Sequence, residues 1–336
     1  MKKNSIEQLP PEKFAEMIGG RTLSPLIGKF RIHGNPELHK RHYPSGFGDL
    51  DYKMFGGFTP GLHFLGAVSS LGKSTFALQM AANLAERGIP VMFISLEMDK
   101  EYLLAKILSS KLYRNTSVNS ASAKTANQIL SEATEKFTDE DWKCYDEALR
   151  EIAEYGDNLI ILENQIDPVT VEDVKVLVRK FIDTYHVKPF VIIDYLQILS
   201  SKINAASAGE RMATENKIIA LRSLAKENDI PVLVISSLNR ENYSTKANMA
   251  SFKETGLIEY SADTLLALQF KGVEEAGFDV EEAKTRYPRE IELKILKQRY
   301  GETGVSIDYE FYPKYSYFRE IGITFRPAKK DEIKTI

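Results

Sequence analysis

The sequence has one cysteine, Cys144, in 336 residues. A lone thiol excludes an intrachain disulfide and any metal site built from several cysteines. Histidine is scarce too. Of five, only His39 and His42 are close enough along the chain to share a metal. They stand in a basic, turn-rich stretch with Lys40, Arg41 and Pro44 and no adjacent cysteine or carboxylate, which reads as an ordinary solvated segment. No apolar run approaches the length of a membrane span. The start, Met1-Lys2-Lys3-Asn4-Ser5, lacks the apolar core of a secretion signal. Positive charge is not in excess: 44 Lys and Arg against 47 Asp and Glu give a net charge of −3. That excludes a protein that coats nucleic acid non-specifically, and leaves room for local basic loops. A soluble cytoplasmic protein is expected. Hydrophobic residues make up 43% of the chain, enough for a large core in one large domain or two ordinary ones.

What is present is a phosphate-binding signal. Residues 67–75 read Ala67-Val68-Ser69-Ser70-Leu71-Gly72-Lys73-Ser74-Thr75, between Gly61-Leu62-His63-Phe64-Leu65-Gly66 and Phe76-Ala77-Leu78-Gln79-Met80. An apolar strand, a small-residue loop and a helix start in that order form the context of a P-loop. Backbone amides from Ser69 to Thr75 would cradle phosphate oxygens, because the loop and the helix N-terminus leave them without partners. Lys73 adds a charge at the β- and γ-phosphates, and the Ser74 hydroxyl is a ligand for Mg²⁺. The first glycine of G-x-x-x-x-G-K-[ST] is replaced by Ala67, with Gly66 one residue early.

Downstream, apolar runs alternate with helical patterns. Strands are expected over 61–66, 89–95, 159–163, 189–194, 230–236, 264–270 and 291–297. Continuous runs such as Phe190-Val191-Ile192-Ile193 suit a parallel sheet buried on both faces. In 210–228, Ile218, Leu221, Leu224 and Ala225 share one helical face. The alternation from Val305 to Phe318 around Pro313-Lys314-Tyr315 predicts a terminal hairpin. Four runs end in polar residues: the phosphate loop, Leu96-Glu97-Met98, Asp194-Tyr195-Leu196-Gln197 and Ser236-Ser237-Leu238-Asn239-Arg240. Parallel strands place their carboxyl ends at one edge, where open α/β sheets bind ligands. Asp194, after four apolar residues, fits a Walker-B carboxylate holding Mg²⁺ through water. Glu97 fits a general base or positioner for the water that attacks the γ-phosphate.

Lys297 and Arg299 are two apart on a strand, on one side of it. Gly301 and Gly304 follow, so the pair lies near a turn. They are candidates for an arginine finger reaching a neighbouring subunit's nucleotide, or for a solvated strand face. Two polar loops, Ser200 to Gly209 with Lys202 and Asn242 to Ser261 with Lys246, Lys253, Glu254 and Gly256, could present amides and lysines to a nucleic-acid backbone. Residues 1–44 read as an arm with one short helix carrying Phe14, Met17 and Ile18, 45–322 as the main domain, and 323–336 as a tail.

Taken together, Ala67…Gly72-Lys73-Ser74-Thr75, Ser95-Leu96-Glu97-Met98, Ile193-Asp194-Tyr195-Leu196-Gln197, Leu238-Asn239-Arg240 and Lys297-Gln298-Arg299-Tyr300-Gly301 resemble the motor domain of DnaB-type replicative helicases. Their order and spacing match over roughly 45–320. Ser45-Gly46-Phe47-Gly48-Asp49-Leu50-Asp51 resembles the entry to that domain, and Ala67 is typical of the family. The resemblance implies a RecA-like α/β fold and a hexameric ring that hydrolyses ATP with Mg²⁺ between subunits while moving on single-stranded DNA. It implies Lys73 and Ser74 on phosphate and Mg²⁺, Glu97 as the catalytic carboxylate, Asp194 as Walker B, and Lys297 and Arg299 acting in trans. Lys253-Glu254-Thr255-Gly256 resembles part of the DNA-facing loop, with Lys253 where the family usually has Arg. A primase or a helicase loader is the implied partner. Two departures follow. Only about 44 residues precede the motor-like part, so the family's helical collar is expected to be missing. Ser237 stands where the family usually has the Gln thought to sense the γ-phosphate. Two other readings of the residues stay open: a RecA-like recombination ATPase that does not unwind, and a nucleotide-binding helicase loader or regulator.

Overall fold

The computed structural model describes residues 10, 12–13, 27–28, 30–32, 41–116, 122–163, 169–200, 209–252, 256–299 and 301–322. The chain divides into two units, 1–41 and 42–336. In the first, Glu12 and Lys13 are helical. Phe14, Met17 and Ile18 lie outside the described residues, and so does the tail.

The second unit is built on a nine-stranded sheet. Its strands are β1 (Gly61–Ala67), β2 (Val91–Ser95), β3 (Leu159–Glu163), β4 (Phe190–Asp194), β5 (Pro231–Ser237), β6 (Thr264–Phe270), β7 (Arg289–Gln298), β8 (Val305–Tyr312) and β9 (Tyr317–Ile321). Their order is β3-β2-β4-β5-β1-β6-β7-β8-β9. The first six are parallel, and β7, β8 and β9 extend the sheet in antiparallel fashion. The expected mainly parallel sheet with a terminal hairpin is therefore what forms. Strands β2 and β4 are buried at every residue, which is why they read as unbroken apolar runs. In β8, Ile307, Tyr309 and Phe311 are buried while Ser306, Asp308 and Glu310 are less so, because one face of the hairpin packs inward and the other meets water.

Among the described residues the helices are α1 (Gly48–Lys53), α2 (Lys73–Glu86), α3 (Lys100–Asn115), α4 (Ala126–Ile129), α5 (Asp139–Ala153), α6 (Val171–Tyr185), α7 (Glu210–Asn228), α8 (Leu257–Ser261) and α9 (Val280–Thr285). Ile218, Leu221, Leu224 and Ala225 of α7 are all buried, as their spacing predicts. No described helix is long and apolar enough to cross a membrane.

Helix α2 is clamped to the hairpin by an aromatic layer. Phe76 stacks on Phe47 at 4.6 Å and meets Phe318 edge-on at 5.2 Å, while Phe311 stacks on Phe318 at 4.2 Å. Gln79 completes the clamp. Its side-chain oxygen accepts the Phe318 N–H at 2.8 Å and its amide donates to the Phe318 carbonyl at 2.9 Å. A side chain thus serves as the missing neighbour of an edge strand, whose backbone groups would otherwise lack partners.

Candidate functional site

The loop between β1 and α2 is held from outside. The Ser69 carbonyl accepts the Tyr243 hydroxyl at 3.0 Å, and the Ser70 carbonyl accepts Arg289 Nη1 at 3.0 Å. In a trans peptide the carbonyl and the next N–H point in opposite directions, so the amides of Ser70 and Leu71 turn away from these anchors. Ser70 and Gly72 have φ of 66° and 85°, which folds the loop back on itself. Gly72 is needed twice over. A side chain would be strained at that φ, and a Cβ there would sit 2.8 Å from the Phe311 ring and 3.0 Å from the Phe318 ring.

Helix α2 then starts with no side-chain cap at Gly72 and no acidic residue in its first turn. Its first amides and the positive end of its dipole are left for an anion. Leu71 is the exception within the loop: its side chain is buried in the core, leaving only its backbone for the site.

Asp194 ends β4 and is 1% exposed. Ser74 donates a hydrogen bond to it, while its Oδ2 has no protein partner. Burial raises its pKa to about 6, against the Ser74 hydrogen bond; Glu97 pushes it further up, and Lys73 and Lys106 pull it down. Glu97 follows β2, which pairs in register with β4 at Ser95 and Asp194. The Ser95 hydroxyl donates to the Met98 carbonyl at 2.5 Å and accepts the Met98 N–H at 3.2 Å. This tight turn pushes the exposed Glu97 out beyond the strand tip.

These residues share one cleft of 350 Å³, lined by Ser69, Ser70, Gly72, Lys73, Ser74, Thr75, Glu97, Asp194 and Ser237 together with Met98, Tyr195 and Lys106. Lys106 was not legible from motifs. It sits on α3 among the buried Leu103, Ile107 and Leu108, and burial lowers its pKa while Asp194 and Glu97 oppose that shift. The bracing residues Tyr243 and Arg289 were not legible either, because each reaches the loop from far along the chain.

Lys297 and Arg299 are not in this cleft. Strand β7 runs antiparallel to β6 and ends beside Thr264, where β6 begins. The cleft lies at the carboxyl ends of the parallel strands and the cation pair at the amino ends, one length of the seven-residue β1 away, or about 20 Å. Lys297 Nζ donates to the Glu259 carbonyl at 2.5 Å. Arg299 pairs through Nε with Asp263 at 3.2 Å and remains half-exposed. Of the expected nucleic-acid contacts, Gly256 precedes α8, and Lys202, Lys253 and Glu254 lie outside the described residues.

A family model described as "DnaB-like helicase C terminal domain" matches residues 43–320. The replicative DNA helicase DnaC of Bacillus subtilis (strain 168) is 27% identical over 306 residues, covering 87% of this chain and 60% of that protein. The replicative DNA helicase DnaB of Geobacillus stearothermophilus is 26% identical over 290 residues, covering 85% of this chain and 58% of that protein. The chain therefore spans less than two thirds of these relatives. Among solved structures, an isolated ATPase domain superposes with a TM-score of 0.72 at 24% identity, covering 90% of this chain and 99% of that one. A DnaB-like replicative helicase, described with its interactions with primase, gives 0.71 at 23% identity over 92% of this chain and 71% of that one. Both likenesses concern the fold.

Proposed function

This chain belongs to the family of DnaB-like helicase C-terminal domains, and on that premise we propose that it is the ATP-hydrolysing motor of a ring-forming helicase that moves on single-stranded DNA. The observation that carries the reading is the split between the two ends of the sheet. One subunit holds a phosphate cradle and two carboxylates at the carboxyl edge, and its cation pair at the amino edge. Arg299 cannot reach its own cleft across the sheet, so a complete site needs a second copy placed head to tail. Closed head-to-tail assembly makes a ring, and a hexamer is the form proposed.

Lys73 and the amides of Ser70 to Thr75 hold the β- and γ-phosphates. Glu97 orients the attacking water and takes its proton. Lys106 neutralises part of the charge that gathers between Glu97, Asp194 and the γ-phosphate. Arg299 of one subunit, with Lys297 beside it, meets the charge developing on the nucleotide of the next. The donor set fits Mg²⁺: the Ser74 hydroxyl and the unpartnered Asp194 Oδ2 supply two hard oxygens, the usual protein share of a site completed by water and phosphate. When bound, Mg²⁺ would neutralise phosphate charge.

The loops after β4 and β5, including Lys202, Lys253, Glu254 and Gly256, are the proposed contacts to the DNA backbone, and a primase or loader is the proposed protein partner. The test is strand displacement from a forked duplex with ATP and Mg²⁺. Displacement that depends on hydrolysis is expected. DNA-stimulated ATP turnover without displacement would overturn the reading in favour of a recombination-type ATPase. Stoichiometric nucleotide binding without turnover would mark a loader or regulator.

A further inference from the structure

We propose that Asp263 is the positioning residue of the trans-acting cation: it fixes Arg299 to the amino end of β1 through Nε and leaves both terminal guanidinium nitrogens for a phosphate. The inference rests on the reading of Arg299 as a finger that acts on the neighbouring subunit.

Three hydrogen bonds and one ion pair define the geometry. Asp263 N–H donates to the Leu62 carbonyl at 2.7 Å, and the Asp263 carbonyl accepts the Arg299 N–H at 2.9 Å. Asp263 Oδ2 accepts the Leu62 N–H at 2.9 Å, and Oδ1 pairs with Arg299 Nε at 3.2 Å. Main chain and side chain of one aspartate therefore join the first residues of β1 to the first residue beyond β7.

Gly61 makes room for this carboxylate. A Cβ there would stand 2.5 Å from Asp263 Oδ2, and φ of 156° suits glycine. His63, one strand residue beyond Leu62, is fully buried, with a pKa lowered to about 4 by that burial, and is therefore neutral at pH 7. It does not compete with Arg299 for the carboxylate.

A guanidinium presents its donors as a fork. Holding it through Nε turns the outer edge toward bidentate contact with phosphate oxygens, and the Arg299 side chain retains 37% exposure. Strand β1 also carries the phosphate loop at its other end. The finger offered to a neighbour and the cradle for a subunit's own nucleotide thus sit on one rigid strand.

The experiment measures single-strand-stimulated ATP turnover in Asp263→Ala, Asp263→Asn, Arg299→Ala and the Ala/Ala double variant. Affinity for a fluorescent ATP analogue and thermal melting are measured alongside. Asp263→Ala should lower kcat about 10- to 100-fold, the scale of a misplaced catalytic group, with KM and analogue affinity unchanged. Asp263→Asn, which keeps an oxygen for Nε, should recover most of that loss. The double variant should be no slower than Arg299→Ala, because a positioning residue has nothing left to position. Losses that multiply in the double variant, or full turnover in Asp263→Ala, would overturn the inference and leave the finger standing. Full turnover in Arg299→Ala would overturn the finger reading and this inference with it.

Discussion

Replacing Asp194 with asparagine should stabilise the nucleotide-free protein at neutral pH while abolishing turnover. The folded state holds this carboxyl at about 6, against an ordinary 3.8, chiefly through burial. The folded state therefore binds the proton more tightly than the unfolded chain does. Stability is lost as pH rises from about 4 to about 6, and the loss persists at pH 7. A shift of roughly two pKa units corresponds to about 3 kcal/mol. Asparagine cannot ionise, so the variant escapes that loss and can still accept the Ser74 hydroxyl.

His63 contributes with the opposite sign. Its folded pKa of about 4 lies below the ordinary 6.5, so its share of stability is lost as pH falls between those values. Wild type and variant have this in common, and it cancels in their difference. The assay is thermal denaturation of both proteins in chelator from pH 4 to 7.5. A gap on the order of 5 °C is expected at pH 7, closing toward pH 4. Adding Mg²⁺ with a non-hydrolysable ATP analogue should reverse the order, since only wild type keeps the carboxylate ligand. A variant no more stable than wild type at pH 7, or a gap independent of pH, would refute the reasoning.

Lys73→Ala should abolish ATP turnover, because its charge serves the phosphates; unchanged turnover would remove the cleft from consideration. Mixing Arg299→Ala subunits into wild-type protein should depress turnover more than in proportion to their fraction, while a strictly proportional loss would show that Arg299 does not act across subunits. Gly72→Ala should destabilise the fold by about 2–5 kcal/mol, combining a left-handed backbone with an overpacked contact to Phe311 and Phe318, and chemical denaturation reads that directly. Gln79→Ala leaves the Phe318 backbone groups unpaired and should cost about 1–3 kcal/mol, seen in the same assay as a lower midpoint without loss of nucleotide binding.

Much of the cleft was legible because its parts are local. The run Phe190-Val191-Ile192-Ile193 is apolar throughout because β4 is buried on both faces, and the first charge after it, Asp194, had to fall at the strand tip. The same logic placed Glu97 after β2. Lys106 was hidden because the carboxylates that act on it, Asp194 at the end of β4 and Glu97 beyond the end of β2, come from distant segments, and no local pattern records that meeting. The anchoring of Ser69 and Ser70 by Tyr243 and Arg289 spans 174 and 219 positions, far beyond any motif window.

Sequence alone determined the strand-loop-helix turn over 67–75, the carboxylates at the strand tips and the terminal hairpin, because each follows from neighbouring residues and from burial that repeats with the period of its element. The tertiary structure decided where Arg299 stands. Strand β7 turns back along β6, so the cation pair ends about 20 Å from the loop over 67–75 of the same chain, with Arg299 beside Asp263. That separation depends on strand direction and sheet order, which are fixed by contacts between distant segments.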